Sequence, residues 1–137
     1  MQTATTTEPA FSTAGVIWLK LAILYLLIGI AIGIGMGATE NFTLRPVHTH
    51  LNLLGWATMA LAGIIYCIFP KAGRSRLARL HFWLQNLALP VMLVSLALLT
   101  LGHPGVIPLL GIAEIATALG IVTFAVNIFL NVGGSRH

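Results

Sequence analysis

Four runs of about twenty apolar residues, parted by short polar turns, leave this chain little freedom of fold. They occupy residues 16–38, 47–69, 81–101 and 106–130. A stretch of about 20 such residues crosses a hydrocarbon core as one helix. Lipid offers no partner to a backbone amide, so each run has to bond its own backbone helically. Only 7% of the 137 residues are charged, whereas 58% are hydrophobic; soluble domains carry about 25% charged residues. The expected fold class is an all-α membrane protein. A single four-helix domain over residues 15–131 is flanked by a flexible Thr- and Ala-rich tail, residues 1–14, and a polar C-terminal tail, residues 132–137. Any function then sits inside the bundle or on the surfaces it offers to partners.

The positions of the charges set the expected orientation. Lys71, Arg74, Arg76 and Arg79 crowd the link between the second and third runs, which is the positive-inside pattern. An even number of spans puts both termini on that side, with Lys20 and Arg136. Of the seven basic residues, only Arg45 then lies outside. We expect a multi-pass protein of a bacterial inner membrane, with both tails cytoplasmic. The pI near 10 follows from this topology and calls for no nucleic-acid partner. The single cysteine, Cys67, excludes a disulfide within the chain and reads as a small packing residue.

Polar residues inside the spans are the candidates for chemistry. The densest group is Arg45-Pro46-Val47-His48-Thr49-His50 with the following Asn52, Gly55 and Trp56. Proline suits a first helical turn, and imidazole is the commonest metal ligand in proteins. An α-helix turns about 100° per residue, so His48 and His50 diverge by about 200°. One helix cannot close them on a single metal; each needs a complement on another neighbour. His48 shares a face with Asn52, Gly55 and Met59, where Gly55 leaves room for a flat macrocycle. Arg45 is placed to pair with carboxylates, and Trp56 adds aromatic surface. His81, at the far end of the third run, reads as an interfacial residue beside Trp83, and His103 as a turn residue. Gln85 and Asn86 call for partners on neighbouring helices. Glu114 falls roughly 13 Å into the fourth run, as a possible proton site or a neutral acid bonded to another helix. Gly29, Gly33 and Gly37 recur at intervals that give a close-packing face.

Leu44-Arg45-Pro46-Val47-His48-Thr49 resembles the start of the second helix in the catalytic subunit of C-type heme–copper oxidases and the related nitric-oxide reductases. His81-Phe82-Trp83 and Phe124-Ala125-Val126-Asn127 are similar to later parts of that subunit, and the resemblance spans residues 15–131. The chain is thus similar to short, cytochrome-c oxidase subunit I-like membrane proteins. The resemblance implies that His48 is an axial ligand of a low-spin heme b. The large subunit arranges about twelve helices as three arcs around a pseudo-threefold axis; this chain corresponds to one arc. A helix related by that symmetry carries a His-x-His pair whose members face different hemes. By that comparison, a homotrimer would rebuild the shell, with His48 of one protomer and His50 of the next on one heme iron.

The expected function is therefore heme b binding for electron transfer to an unidentified redox partner, or for heme holding or sensing. Arg45, Asn52, Gly55 and Trp56 would shape the pocket. The family's copper ligands and cross-linked tyrosine have no match here, so oxygen or nitric-oxide reduction does not carry over. A minimal reductase with copper, or a cofactor-free accessory subunit, are the alternatives.

Overall fold

The computed structural model describes residues 12–133, and every regular element within them is helical. Four helices are long and apolar enough to cross a membrane: α1 (Thr13–Thr39), α2 (Arg45–Ile68), α3 (Arg76–Thr100) and α4 (Ile107–Asn131). Their limits lie within a few residues of those expected. The N-terminal tail up to residue 11, Arg136 and His137 fall outside the described residues.

Local chemistry explains where the helices begin and end. Ser12 caps α1 by accepting from the Gly15 amide, and Ser75 caps α3 by accepting from the Ala78 amide at 2.9 Å. The chain leaves α2 at Phe69, whose ψ of 78° lies outside the helical region that Pro70 disfavours in its predecessor. One helical turn, Pro70–Gly73, then leads to α3. Gly102, at φ 92°, turns the chain after α3 in a conformation that an L side chain resists. Pro90 lies within α3 without ending it.

The helices pair as two hairpins, α1 against α2 and α3 against α4. Between apolar helices in lipid the hydrophobic effect gives no preference, so small residues and close backbone approach decide the pairing. A Cβ on Gly15 would sit 2.6 Å from the Gly63 carbonyl oxygen. Gly63 itself lies against the Gly15 carbonyl, at 2.9 Å. The backbones of α1 and α2 therefore cross where neither residue carries a side chain. Gly29 and Gly33 belong to the same contact, but Gly37 does not: a Cβ there would meet no described atom within 4 Å.

The two hairpins meet at the end that carries the basic turn. Trp18 of α1 stacks on His81 of α3, and Tyr66 of α2 meets Phe124 of α4 edge to face. The outer surface is apolar, with Leu27, Ile34, Leu119 and Phe129 all exposed, as a lipid-facing surface requires.

Candidate functional site

At the opposite end, α2 opens on Arg45-Pro46 without a side-chain cap. His48, in the first turns, faces α1. Its Nδ1 lies 2.9 Å from the Gly29 carbonyl oxygen. A carbonyl can only accept, so Nδ1 carries the proton and donates it. The absence of a side chain at Gly33 makes the approach possible: a Cβ there would come 2.9 Å from His48 Cε1. His50 makes no hydrogen bond to another helix among the described residues. Its Nδ1 donates to the Pro46 carbonyl of its own helix at 2.8 Å. In both rings Nδ1 thus carries a proton, and in the neutral tautomer so defined Nε2 keeps its lone pair. Both histidines are half-buried in the single chain.

The helix directly beyond this pair is not α-helical. Residues Leu51–Thr58 wind as a π-helix, a rare form that recurs at functional sites. Two side chains satisfy the carbonyls that the change of register disturbs. Asn52 Nδ2 donates to the His48 carbonyl at 2.8 Å, and Thr58 Oγ1 donates to the Leu53 carbonyl at 2.8 Å. A side chain inserted into the hydrogen-bond ladder is a known cause of such distortion. Asn52 also packs on Gly29, where a Cβ would lie 2.8 Å from its amide. His48, Asn52 and their two glycines thus form one interlocked contact between α1 and α2.

Gly55 has a different role from the one expected. A Cβ there would fall 2.6 Å from the ring of Tyr25. The space opened by the glycine is filled by a tyrosine of the same chain, so no macrocycle lies between α1 and α2 at that level. Trp56 is half-buried against the core. Arg45 is exposed, its guanidinium 5.2 Å from the centre of the Phe42 ring. Among the described residues no cluster of three or more His, Cys, Asp or Glu could hold a metal ion within one chain.

His81 also departs from its expected place. It is completely buried, not interfacial. Its ring lies between Trp18, at 4.4 Å between centroids, and Phe124, at 5.0 Å. Its Nδ1 is 2.9 Å from the Tyr66 hydroxyl. Asn127 donates from Nδ2 to the Tyr66 oxygen at 3.4 Å and to the Ala72 carbonyl at 3.1 Å. Ser75 and Asn131 both donate to Asn127 Oδ1, at 2.9 and 2.8 Å. This polar cluster ties the basic turn to α2, α3 and α4, and α1 joins it through Trp18 stacked on His81. Its signal in the sequence was an alignment of His81 and Gln85 one turn apart on α3; their partners on α2 and α4 could not be inferred from spacing. Asn86 bonds only its own helix, through the Phe82 carbonyl. Glu114 lies on the outer face of α4 and makes no hydrogen bond or ion pair among the described residues, so it serves no other helix of this chain. His103 is exposed in the outer turn.

No protein-family model, curated protein or solved structure significantly matches the chain. The geometry of its own residues therefore carries the functional argument.

Proposed function

We propose that the protein binds heme b in the membrane through His48 of one protomer and His50 of the next, within a homotrimer. The observation that supports this most is the state of the two rings. Each Nδ1–H is engaged by a backbone carbonyl, Gly29 for His48 and Pro46 for His50. Histidines that ligate metals characteristically donate the other ring N–H in this way, which fixes the tautomer and makes Nε2 more basic. A donor set of two such imidazoles fits the two axial positions of a low-spin heme.

Three features support sharing between chains. The rings lean on different supports, and the gap beside Gly55 is occupied by Tyr25. A macrocycle at the edge of the chain, completed by a second chain, accommodates both observations. The third feature is Glu114, a carboxyl on the outer face of α4. Such a group is costly against lipid unless another chain covers it. Closed cyclic symmetry gives every protomer the same pair of neighbours. Arg45, free of any described carboxylate, would meet the heme propionates. Asn52 holds the His48 turn, and Trp56 lends aromatic surface beside it.

Bound heme supplies reversible one-electron chemistry, and two imidazoles leave no iron position open. That favours electron transfer, or heme holding and sensing, over catalysis at the iron. We place the protein in a bacterial inner membrane with the basic turn and both termini cytoplasmic, because four cations gather at one end of the bundle.

Purified in mild detergent and supplied with heme, the wild-type protein should show low-spin b-type bands in a reduced-minus-oxidised spectrum. His48→Ala and His50→Ala should each abolish them. Wild-type protein without such bands would refute heme binding; bands that survive in both variants would refute this ligand pair.

A further inference from the structure

We infer that His81, Gln85 and Gly120 form a second polar site, inside the bundle and remote from His48 and His50, whose ligand is a water molecule. Three buried atoms in this region lack hydrogen-bond partners: His81 Nε2, Gln85 Nε2 and Gln85 Oε1. Both residues are 0% exposed. Buried polar atoms are nearly always bonded, and an unsatisfied group costs about 1–3 kcal/mol. Three together, on residues one helical turn apart, point to an occupant.

The neighbouring bonds state what that occupant must be. Asn127 donates to the Tyr66 oxygen, so the Tyr66 hydrogen is free to go to His81 Nδ1, 2.9 Å away. Nδ1 is then the acceptor, and the ring proton sits on Nε2. The site therefore presents an imidazole N–H, an amide NH2 and an amide oxygen. A ligand must accept from the first two and donate to the third. Water does all of this. A metal cation does not, because two of the three groups are donors.

The imidazole cannot swing to meet the amide itself. Trp18 and Phe124 hold it on its two faces, at 4.4 and 5.0 Å between centroids. Gly120, on the facing side of α4, packs directly against the Gln85 amide. A Cβ there would stand 3.1 Å from Gln85 Oε1 and 3.4 Å from Leu84 Cβ. Buried water is found where it gains two to four polar partners, and these three atoms supply them.

The position adds a consequence. Gln85 is nine residues into α3, roughly 14 Å from its start, and so near the middle of a core about 30 Å thick. From it, the bonds His81–Tyr66–Asn127–Ser75 run back to the turn that carries Arg74 and Arg76. The water thus ends a polar string that begins at the basic surface and reaches mid-membrane.

Water-edited solid-state NMR on protein with 15N-labelled His and Gln, in lipid bilayers, tests it. His81 should appear as the Nε2–H tautomer, and Nε2 should receive magnetisation from water about as fast as the exposed His103. Gly120→Ala and Gln85→Leu should each slow that transfer several-fold while the His81 tautomer persists. The inference is overturned by absence of water transfer to His81 Nε2 in the wild type, or by a direct His81–Gln85 contact in its place. Transfer that is unchanged in both variants overturns it as well.

Discussion

A backbone carbonyl beside each of two imidazoles decides which nitrogen is free, and two glycines decide whether the first imidazole can reach its carbonyl. Gly33 and Gly35 give a clean contrast. A methyl at Gly33 would press the far end of the His48 ring, at 2.9 Å, and one at Gly35 would meet no described atom within 4 Å. Because the atom displaced belongs to a movable side chain, Gly33→Ala should cost less than about 1 kcal/mol of stability. It should nevertheless lower heme content several-fold, since a ligand displaced by an ångström is misplaced. Gly35→Ala should match wild type in both respects. The iron-to-protein ratio and thermal unfolding of the two variants check this. Tyr66 makes a second test at this scale. Tyr66→Phe removes the hydroxyl from a fully buried His81 and should destabilise the bundle by about 1–3 kcal/mol, read as a lower unfolding temperature.

The elements were legible to different degrees. Length and apolarity determine α1 to α4, and Pro70, Ser75 and Gly102 act as the local rules for turns and caps say they should. The π-helical stretch was not legible. It depends on Asn52 and Thr58 turning back onto carbonyls of their own helix, and a hydropathy pattern does not register that choice. Nor did glycine spacing separate the packed from the unpacked: Gly37 continues the series of Gly29 and Gly33 but lies beyond the point where α1 and α2 touch. The real crossing point is Gly15 with Gly63. Gly63→Ala would set a methyl 2.9 Å from a backbone oxygen and 2.9 Å from Leu19 Cγ. Because backbone cannot yield as a side chain does, it should destabilise by about 1–3 kcal/mol, and Gly37→Ala by nothing measurable. Denaturation followed by circular dichroism in detergent compares the two.

At the scale of the whole molecule, the chain has two unlike ends. At one, the cluster of Tyr66, His81, Asn127 and Ser75 binds α2, α3 and α4 beneath the basic turn, and Trp18 of α1 stacks on His81. The other bears His48 and His50, half-buried and supported on separate carbonyls. The sequence revealed that second end through its histidines and concealed the first, because His81 looks the same whether it meets headgroups or a stacked aromatic pair. Helix periodicity could place Glu114 at mid-membrane but not on the outer face, since that depends on which side of α4 meets α3. A carboxyl there, with two histidines supported on separate carbonyls, supports our proposal that neighbouring chains complete the site. Co-expression of His48→Ala chains with His50→Ala chains tests that claim most directly. Each variant alone should lack heme. In mixed assemblies His50 of one variant meets His48 of the other, and random association should restore about one quarter of the wild-type heme per chain. Mixed assemblies that remain without heme, while the wild type binds it under the same conditions, would contradict a site shared between chains.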